Sequence, residues 1–371
     1  MAVNTGFFLV AGARPNFMKI APIYRASLNC GGVDCKIVHT GQHYDQEMSQ
    51  AFFDELGIPE PAYRLEAGPG SHAEQTARIM VAFERACMAE KPDLVIVVGD
   101  VNSTLACSIT AKKLMIEVAH VEAGLRSFDL AMPEEINRMV TDSISDYFFV
   151  TEESGAANLR REGKSLERIY TVGHVMIDNL LYQLGKLEKN GGRQFASYAM
   201  KQRHNGYAFL TLHRPSNVDN RQTFAEITSA LNEIAEERTI FFPVHPRTRK
   251  MIDLLDIRFS EKIIMLPPLS FTEALYLWKD AEIILTDSGG LQEETTALQK
   301  PCVTIRENTE RPVTVELGTN IIAGSSKAGI LKAYKASFEK AKRASVPPLW
   351  DGRASERIWA VLGKVRLGGL Y

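Results

Sequence analysis

Short, continuous apolar runs alternate along the whole chain with longer stretches of helical period. One series of apolar runs falls at residues 7–11, 36–39, 94–98, 117–121 and 147–150, and a second at 207–212, 239–244, 263–266, 282–285 and 302–305. These runs lack the in-and-out alternation of a half-exposed strand. They have the form of parallel strands covered on both faces. Helical patterns lie between them, for example at 18–29 and 72–90. Such alternation predicts α/β doubly wound sheets, and two series of about equal length predict two Rossmann-like domains. The first is expected over residues 1–172, joined again by 356–371, and the second over 173–355. Ligands of such sheets lie beyond the carboxyl ends of the strands. The expected site is therefore a central cleft that the two domains face, from which closure could exclude water.

Composition narrows the class without changing this picture. The 371 residues are 45% hydrophobic and 24% charged, with a net charge of −2. This is room for two cores and not the basic footprint of a nucleic-acid binder. No apolar run is long enough to span a bilayer, and the opening MAVNTGFFLVAGARPNF lacks the basic start of a signal peptide. Five cysteines, an odd number, show neither CxxC nor metal-ligand spacing, which fits reduced thiols in a cytoplasm. A soluble cytoplasmic protein that binds neither nucleic acid nor membrane is expected.

The candidate chemistry gathers just after the predicted strands. In LTDSGGLQEE a strand meets a turn and a helix start at Ser288, Gly289 and Gly290. The N–H groups and dipole of a helix N-terminus there suit a phosphate or diphosphate, and the glycines allow close approach of the backbone. Glu293 and Glu294 follow one turn later, where a carboxylate can take ribose hydroxyls. After the first strand, AGARPNFMK brings Arg14, able to pair with a diphosphate in bidentate fashion. Asp100, Glu122 and Glu134 come from successive strand ends of the first half. Carboxylates that share a cleft suit general acid and base work. In the second half His213 and His245 stand at strand ends, His213 as a candidate opposite the carboxylates. Phe271 is placed either to stack on a flat base or to staple the next helix.

Taken together, GARPNFMKIAP, TGQHYD, GD, HVEAGLRS, MPEEINR, LTLHRP, PVHPR, TDSGGLQEE and TERPV cover almost the whole chain. They resemble the non-hydrolysing UDP-N-acetylglucosamine 2-epimerases, whose fold is the two-domain GT-B architecture. The resemblance implies reversible inversion at C2 to UDP-N-acetylmannosamine, by anti elimination of UDP through a 2-acetamidoglucal and re-addition. It implies no cofactor and no metal, a UDP-sugar and UDP as partners, and a homodimer. It assigns proton handling to Asp100, Glu122 and Glu134, and electrostatic support to Lys19 and Arg138. His213 and Arg14 would face the departing phosphates with the Ser288–Gly290 turn. Arg311 would lie near the diphosphate, Glu294 on the ribose and Phe271 against the uracil, with His245 among the residues that bind the UDP-sugar. Gln42 and His43 match a pair through which regulated members bind a second, activating substrate molecule. HRPSNVDN departs from the HRREN of those members, with Arg214–Pro215 in place of a second Arg.

Several other readings share these features. Relatives act on UDP sugars that carry a 3-acetamido group or a uronic acid, and the hydrolysing epimerases differ only in the fate of the glucal. A GT-B glycosyltransferase would keep the nucleotide motif but needs one base and an acceptor groove, against which the three carboxylates count. A nucleotide-sugar sensor would be expected to lose them. An NAD dehydrogenase is disfavoured because the first strand leads to GARPNF, not GxGxxG.

Overall fold

The computed structural model describes residues 5–42 and 50–366. The chain divides into two compact units, Met1–Asn179 with Pro348–Tyr371, and Leu180–Pro347. The N-terminal unit therefore keeps a few residues past the expected limit at 172 and starts its return before 356. The reason is local. Asp178, early in the Val175–Asn190 helix, accepts from the backbone N–H groups of Ala354 and Ser355 at 3.1 and 2.7 Å. The returning Ala354–Arg366 helix then packs on the Arg14–Ser27 helix, where Trp359 Nε1 donates to Ile23 O at 2.8 Å.

The N-terminal sheet contains β1 (Thr5–Ala11), β2 (Val33–His39), β3 (Tyr63–Arg64), β4 (Leu94–Val98), β5 (Glu117–Val121), β6 (Tyr147–Val150) and β7 (Ile169–Thr171). All pairs are parallel, in the order β3-β2-β1-β4-β5-β6-β7. The C-terminal sheet contains β8 (Ala208–Thr211), β9 (Ile240–Pro243), β10 (Ile263–Leu266), β11 (Ile283–Thr286), β12 (Cys302–Thr304) and β13 (Asn320–Ile322). It too is parallel throughout, in the order β10-β9-β8-β11-β12-β13. Apart from the edge strand β10, the apolar runs of the sequence are the interior strands of the two sheets. Phe8, Val10, Val95 and Val97 pack on Phe83 and Ile79 in one unit, and Leu210, Phe242, Ile283 and Leu285 on Phe224 and Ile227 in the other. The edge strands β3, β7 and β13 had no apolar run to announce them. Each has two or three residues, of which only Asn320 is buried.

In each sheet the connections reverse direction between two central strands, β1 and β4 in one and β8 and β11 in the other. Loops that leave such a pair splay apart, and the gap between them is the ligand position of this fold class. The segments that follow these four strands carry Arg14, Lys19, Asp100, His213, the Ser288–Gly290 turn and Glu294.

Candidate active site

At the β1/β4 switch point a single glycine sets the spacing. Gly99, just after β4, has φ of +72°, and a Cβ there would stand 3.3 Å from Lys19 Nζ and 3.9 Å from Glu122 Oε2. The left-handed backbone and the crowding both favour glycine. Lys19, on the Arg14–Ser27 helix, donates to Glu122 Oε2 at 2.6 Å, and both side chains are largely buried. Glu122 itself holds φ of +67°. Left-handed backbone at a non-glycine residue is strained and clusters at functional sites.

Asp100, the next residue after Gly99, is held from the Pro133–Ile144 helix. Arg138 Nε and Nη2 reach its Oδ2 at 3.0 and 2.8 Å, and Asn137 Nδ2 donates to its carbonyl at 2.9 Å. Glu134 and Glu135 open the same helix with different parts to play. Glu135 is buried, accepts from the N–H groups of Ser127 and Phe128 at 3.0 Å each, and pairs with Arg138. Burial would raise its carboxyl, but these donors and the Arg138 charge hold it below the ordinary value. Glu134, its neighbour, is partly buried. Arg14 begins its helix with the guanidinium 5.2 Å from the centre of the Phe52 ring. Gln42 is buried, its Oε1 accepting from Ser103 N and Oγ at 3.1 and 2.7 Å. His43 lies outside the described residues.

At the β8/β11 switch point the organiser is Asp287. It is fully buried, and its Oδ2 accepts from the backbone N–H groups of His213 and Arg214 at 2.8 Å each. Its Oδ1 lies 2.9 Å from His213 Nδ1. Burial would raise this carboxyl, but these contacts hold it below the ordinary value. His213 thus has its Nδ1 side turned to a carboxylate, which leaves Nε2 for a ligand. The His245 ring centre is 5.7 Å from that of His213. Burial and the His213 charge lower the pKa of His245, whose Nδ1 accepts from Arg247 N.

The Gly289–Ala297 helix follows β11, the neighbour in the sheet of β8, which leads to His213. Asn220, Ser270 and Ser326 each cap a helix of this unit through the side chain, whereas Ser288 makes no such bond. A Cβ on Gly289 or Gly290 would meet nothing within 4 Å. The first turn thus combines N–H groups with room in front of them, the requirement for an anion. Farther along, Glu293 pairs with Arg311, and Glu294 is buried next to it. Burial and the Glu293 charge push the Glu294 carboxyl up to about 8. Phe271 is the partly buried first residue of the Phe271–Trp278 helix. Among the described residues no three His, Cys, Asp or Glu side chains are grouped to hold a metal ion, and no helix is long and apolar enough to cross a membrane.

The model of the UDP-N-acetylglucosamine 2-epimerase family matches residues 27–363. The chain belongs to that family. The UDP-N-acetylglucosamine 2-epimerase of Methanocaldococcus jannaschii is 44% identical over 361 residues, 95% of this chain and 98% of the relative. The UDP-2,3-diacetamido-2,3-dideoxy-D-glucuronate 2-epimerase of Pseudomonas aeruginosa is 38% identical over 359 residues, 96% of this chain and 99% of the relative. The crystal structure of the M. jannaschii UDP-GlcNAc 2-epimerase in complex with UDP-GlcNAc and UDP has a TM-score of 0.85 and 41% identity. It covers 97% of this chain and 100% of that one.

Within this epimerase-family chain, the N-terminal unit brings Lys19, Asp100, Glu122 and Arg138 together around Gly99. The C-terminal unit brings His213, His245 and the Ser288–Gly290 turn together around Asp287. Asp287 and Glu135 were given no role from sequence. For Asp287 the signal was present, since it directly follows β11 at the switch point. For Glu135 there was none, because adjacent glutamates at a helix start look alike until their contacts are known.

Proposed function

We propose that this chain interconverts UDP-N-acetylglucosamine and UDP-N-acetylmannosamine without net hydrolysis. A carboxylate of the N-terminal unit takes the C2 proton, the C1–O bond to UDP breaks with its electron pair leaving on the diphosphate, and a 2-acetamidoglucal forms. A second carboxyl group returns a proton to the opposite face of C2, and UDP adds back at C1. Asp100, Glu122 and Glu134 are the proton-handling candidates, with Lys19 and Arg138 fixing the first two. The departing diphosphate calls for charge and N–H donors, which Arg14, His213, Arg311 and the Ser288–Gly290 turn offer. Glu294 is assigned to the ribose, Phe271 to the uracil and His245 to the UDP-sugar. The observation that carries this reading is the pair Glu122 and Asp100, each with its own cation, on either side of Gly99. The family resemblance further supports a homodimer in the cytoplasm.

A second reading, a 2,3-diacetamido uronic acid as the sugar, is favoured by the 38% identity to the P. aeruginosa enzyme. A proton NMR time course in D₂O separates the possibilities. UDP-N-acetylglucosamine should give the manno epimer with deuterium at C2 and UDP attached. Free UDP with free N-acetylmannosamine would replace this reading by a hydrolysing one. No turnover of this sugar, with turnover of the diacetamido uronate, would establish the second reading.

A further inference from the structure

The mechanism above leaves one buried group of charges unused. His120 lies within β5, fully buried, two residues before Glu122. Its Nε2 is 2.8 Å from Gly99 O, and its Nδ1 is 2.7 Å from Asp142 Oδ1. A carbonyl oxygen can only accept. The other Asp142 oxygen takes Arg126 Nη2 at 2.7 Å and the Gly124 N–H at 3.0 Å, as an ionised carboxylate would. Oδ1 is then an acceptor as well, and a neutral imidazole would set a ring lone pair against one of these two oxygens. Both ring nitrogens must carry hydrogen.

We infer that His120 is held as an imidazolium and is the positioning residue for both proton-handling loops of the N-terminal unit. Its Nε2–H fixes the Gly99 carbonyl, and Gly99 N in turn donates to Val121 O at 3.0 Å, so the turn bearing Asp100 is tied to the end of β5. On its other side, Asp142 holds Gly124 N–H. This pins the loop in which Glu122 and Gly124 both have positive φ, +67° and +78°. One ion pair thereby locks Asp100 and Glu122 to each other through backbone.

The charges around His120 alternate. Beyond Asp142, Arg126 reaches Glu162 through Nε at 2.8 Å and Nη2 at 2.7 Å. On the other side of Gly99, Lys19 pairs with Glu122. Three of the four members of the His120 chain are buried, and only Glu162 reaches solvent. Burying ions brings little stability over an apolar replacement, so such pairs are best explained by the geometry they specify. Burial works against the Asp142 carboxylate, yet the His120 and Arg126 charges hold its pKa below the ordinary value.

The kinetic part of the test rests on the epimerase reading, and the spectroscopic part does not. Ring-¹⁵N histidine NMR on the full-length protein at neutral pH should show His120 protonated on both nitrogens. Its signal is assigned by its loss in H120Q, or by elimination with variants of the other histidines. A neutral tautomer would overturn the inference. In D142N, which keeps the shape and removes the charge, the same ring should become neutral. Folded H120Q and D142N should keep wild-type UDP affinity and KM while kcat falls on the order of 10²-fold, the size of effect produced by small misplacement of catalytic groups. Wild-type kcat in either folded variant would overturn the positioning role. If the wild type turned over no UDP-sugar while His120 remained doubly protonated, the functional reading alone would fail.

Discussion

The two switch points share a topology, and one ion pair at each, Arg138–Asp100 and His213–Asp287, differs in which partner is buried, while Lys19–Glu122 at the first has its carboxylate the more buried, 2% exposed against 16%. At β1/β4, Arg138 stands behind Asp100: the cation is 9% exposed and the carboxylate 32%. At β8/β11 the order is inverted, with Asp287 fully buried behind a His213 ring that is 40% exposed. The same inversion recurs nearby, where Glu293 is the more buried partner of Arg311. Strand order fixes where a site can form, and in the Arg138–Asp100 and His213–Asp287 pairs the choice of which ion is buried decides which one faces outward. Elimination of a diphosphate from a sugar needs both bases and anion-binding donors.

The largest expected effect breaks the comparison on its basic side. E122Q keeps the size of the side chain and an oxygen for Lys19, but it cannot take or give the C2 proton. Turnover should fall by about 10²- to 10⁴-fold, with UDP binding by calorimetry almost unchanged. Lost UDP binding would instead make Glu122 a structural residue of its strained turn. A smaller effect is expected from R14A, which asks whether the carboxylate unit also binds anions. The variant loses a cation–π contact over Phe52, worth about 0.5–1 kcal/mol of stability. If Arg14 pairs with the diphosphate, the Kd for UDP should rise about ten- to hundredfold, the equivalent of one charged hydrogen bond. An unchanged Kd would leave the nucleotide wholly to the C-terminal unit.

How much of this was legible in the sequence follows from the range of each interaction. The central strands were readable because burial on both faces writes itself as a local apolar run. The edge strands β3, β7 and β13 were not, since two or three backbone pairs require no particular side chains. The Ser288–Gly290 turn and the carboxylates Asp100 and Glu122 were readable because they follow strands directly. Their partners were not readable from local pattern. Lys19 meets Glu122 across 103 positions of chain, and His213 Nδ1 meets the Asp287 carboxylate across the sheet. Asp142 sits in the last turn of an amphipathic helix, where an acidic residue reads as solvated surface, yet it is fully buried against His120.

The smallest expected effect sharpens the contrast through pH. Glu135 and Asp142 of the N-terminal unit have pKa values below the ordinary range, so they support folding at neutral pH and weaken it in acid. Glu294 has the opposite sign. Its carboxyl is raised from 4.5 to about 8 by burial and by Glu293, so between those values the folded chain holds a proton that the unfolded chain has lost. Its contribution is fully present below pH 4.5 and declines as pH rises to about 8, with a slope of at most about 1.4 kcal/mol per pH unit. E294Q removes the titration and should flatten this decline. Melting curves of the two proteins from pH 5 to 8.5 should diverge steadily, with the variant the more stable at the alkaline end. Parallel curves would mean that Glu294 is ionised in the folded chain. The Glu294 carboxyl would then be a buried charge like that of Asp287 in the same unit, and not a neutral acid beside Glu293.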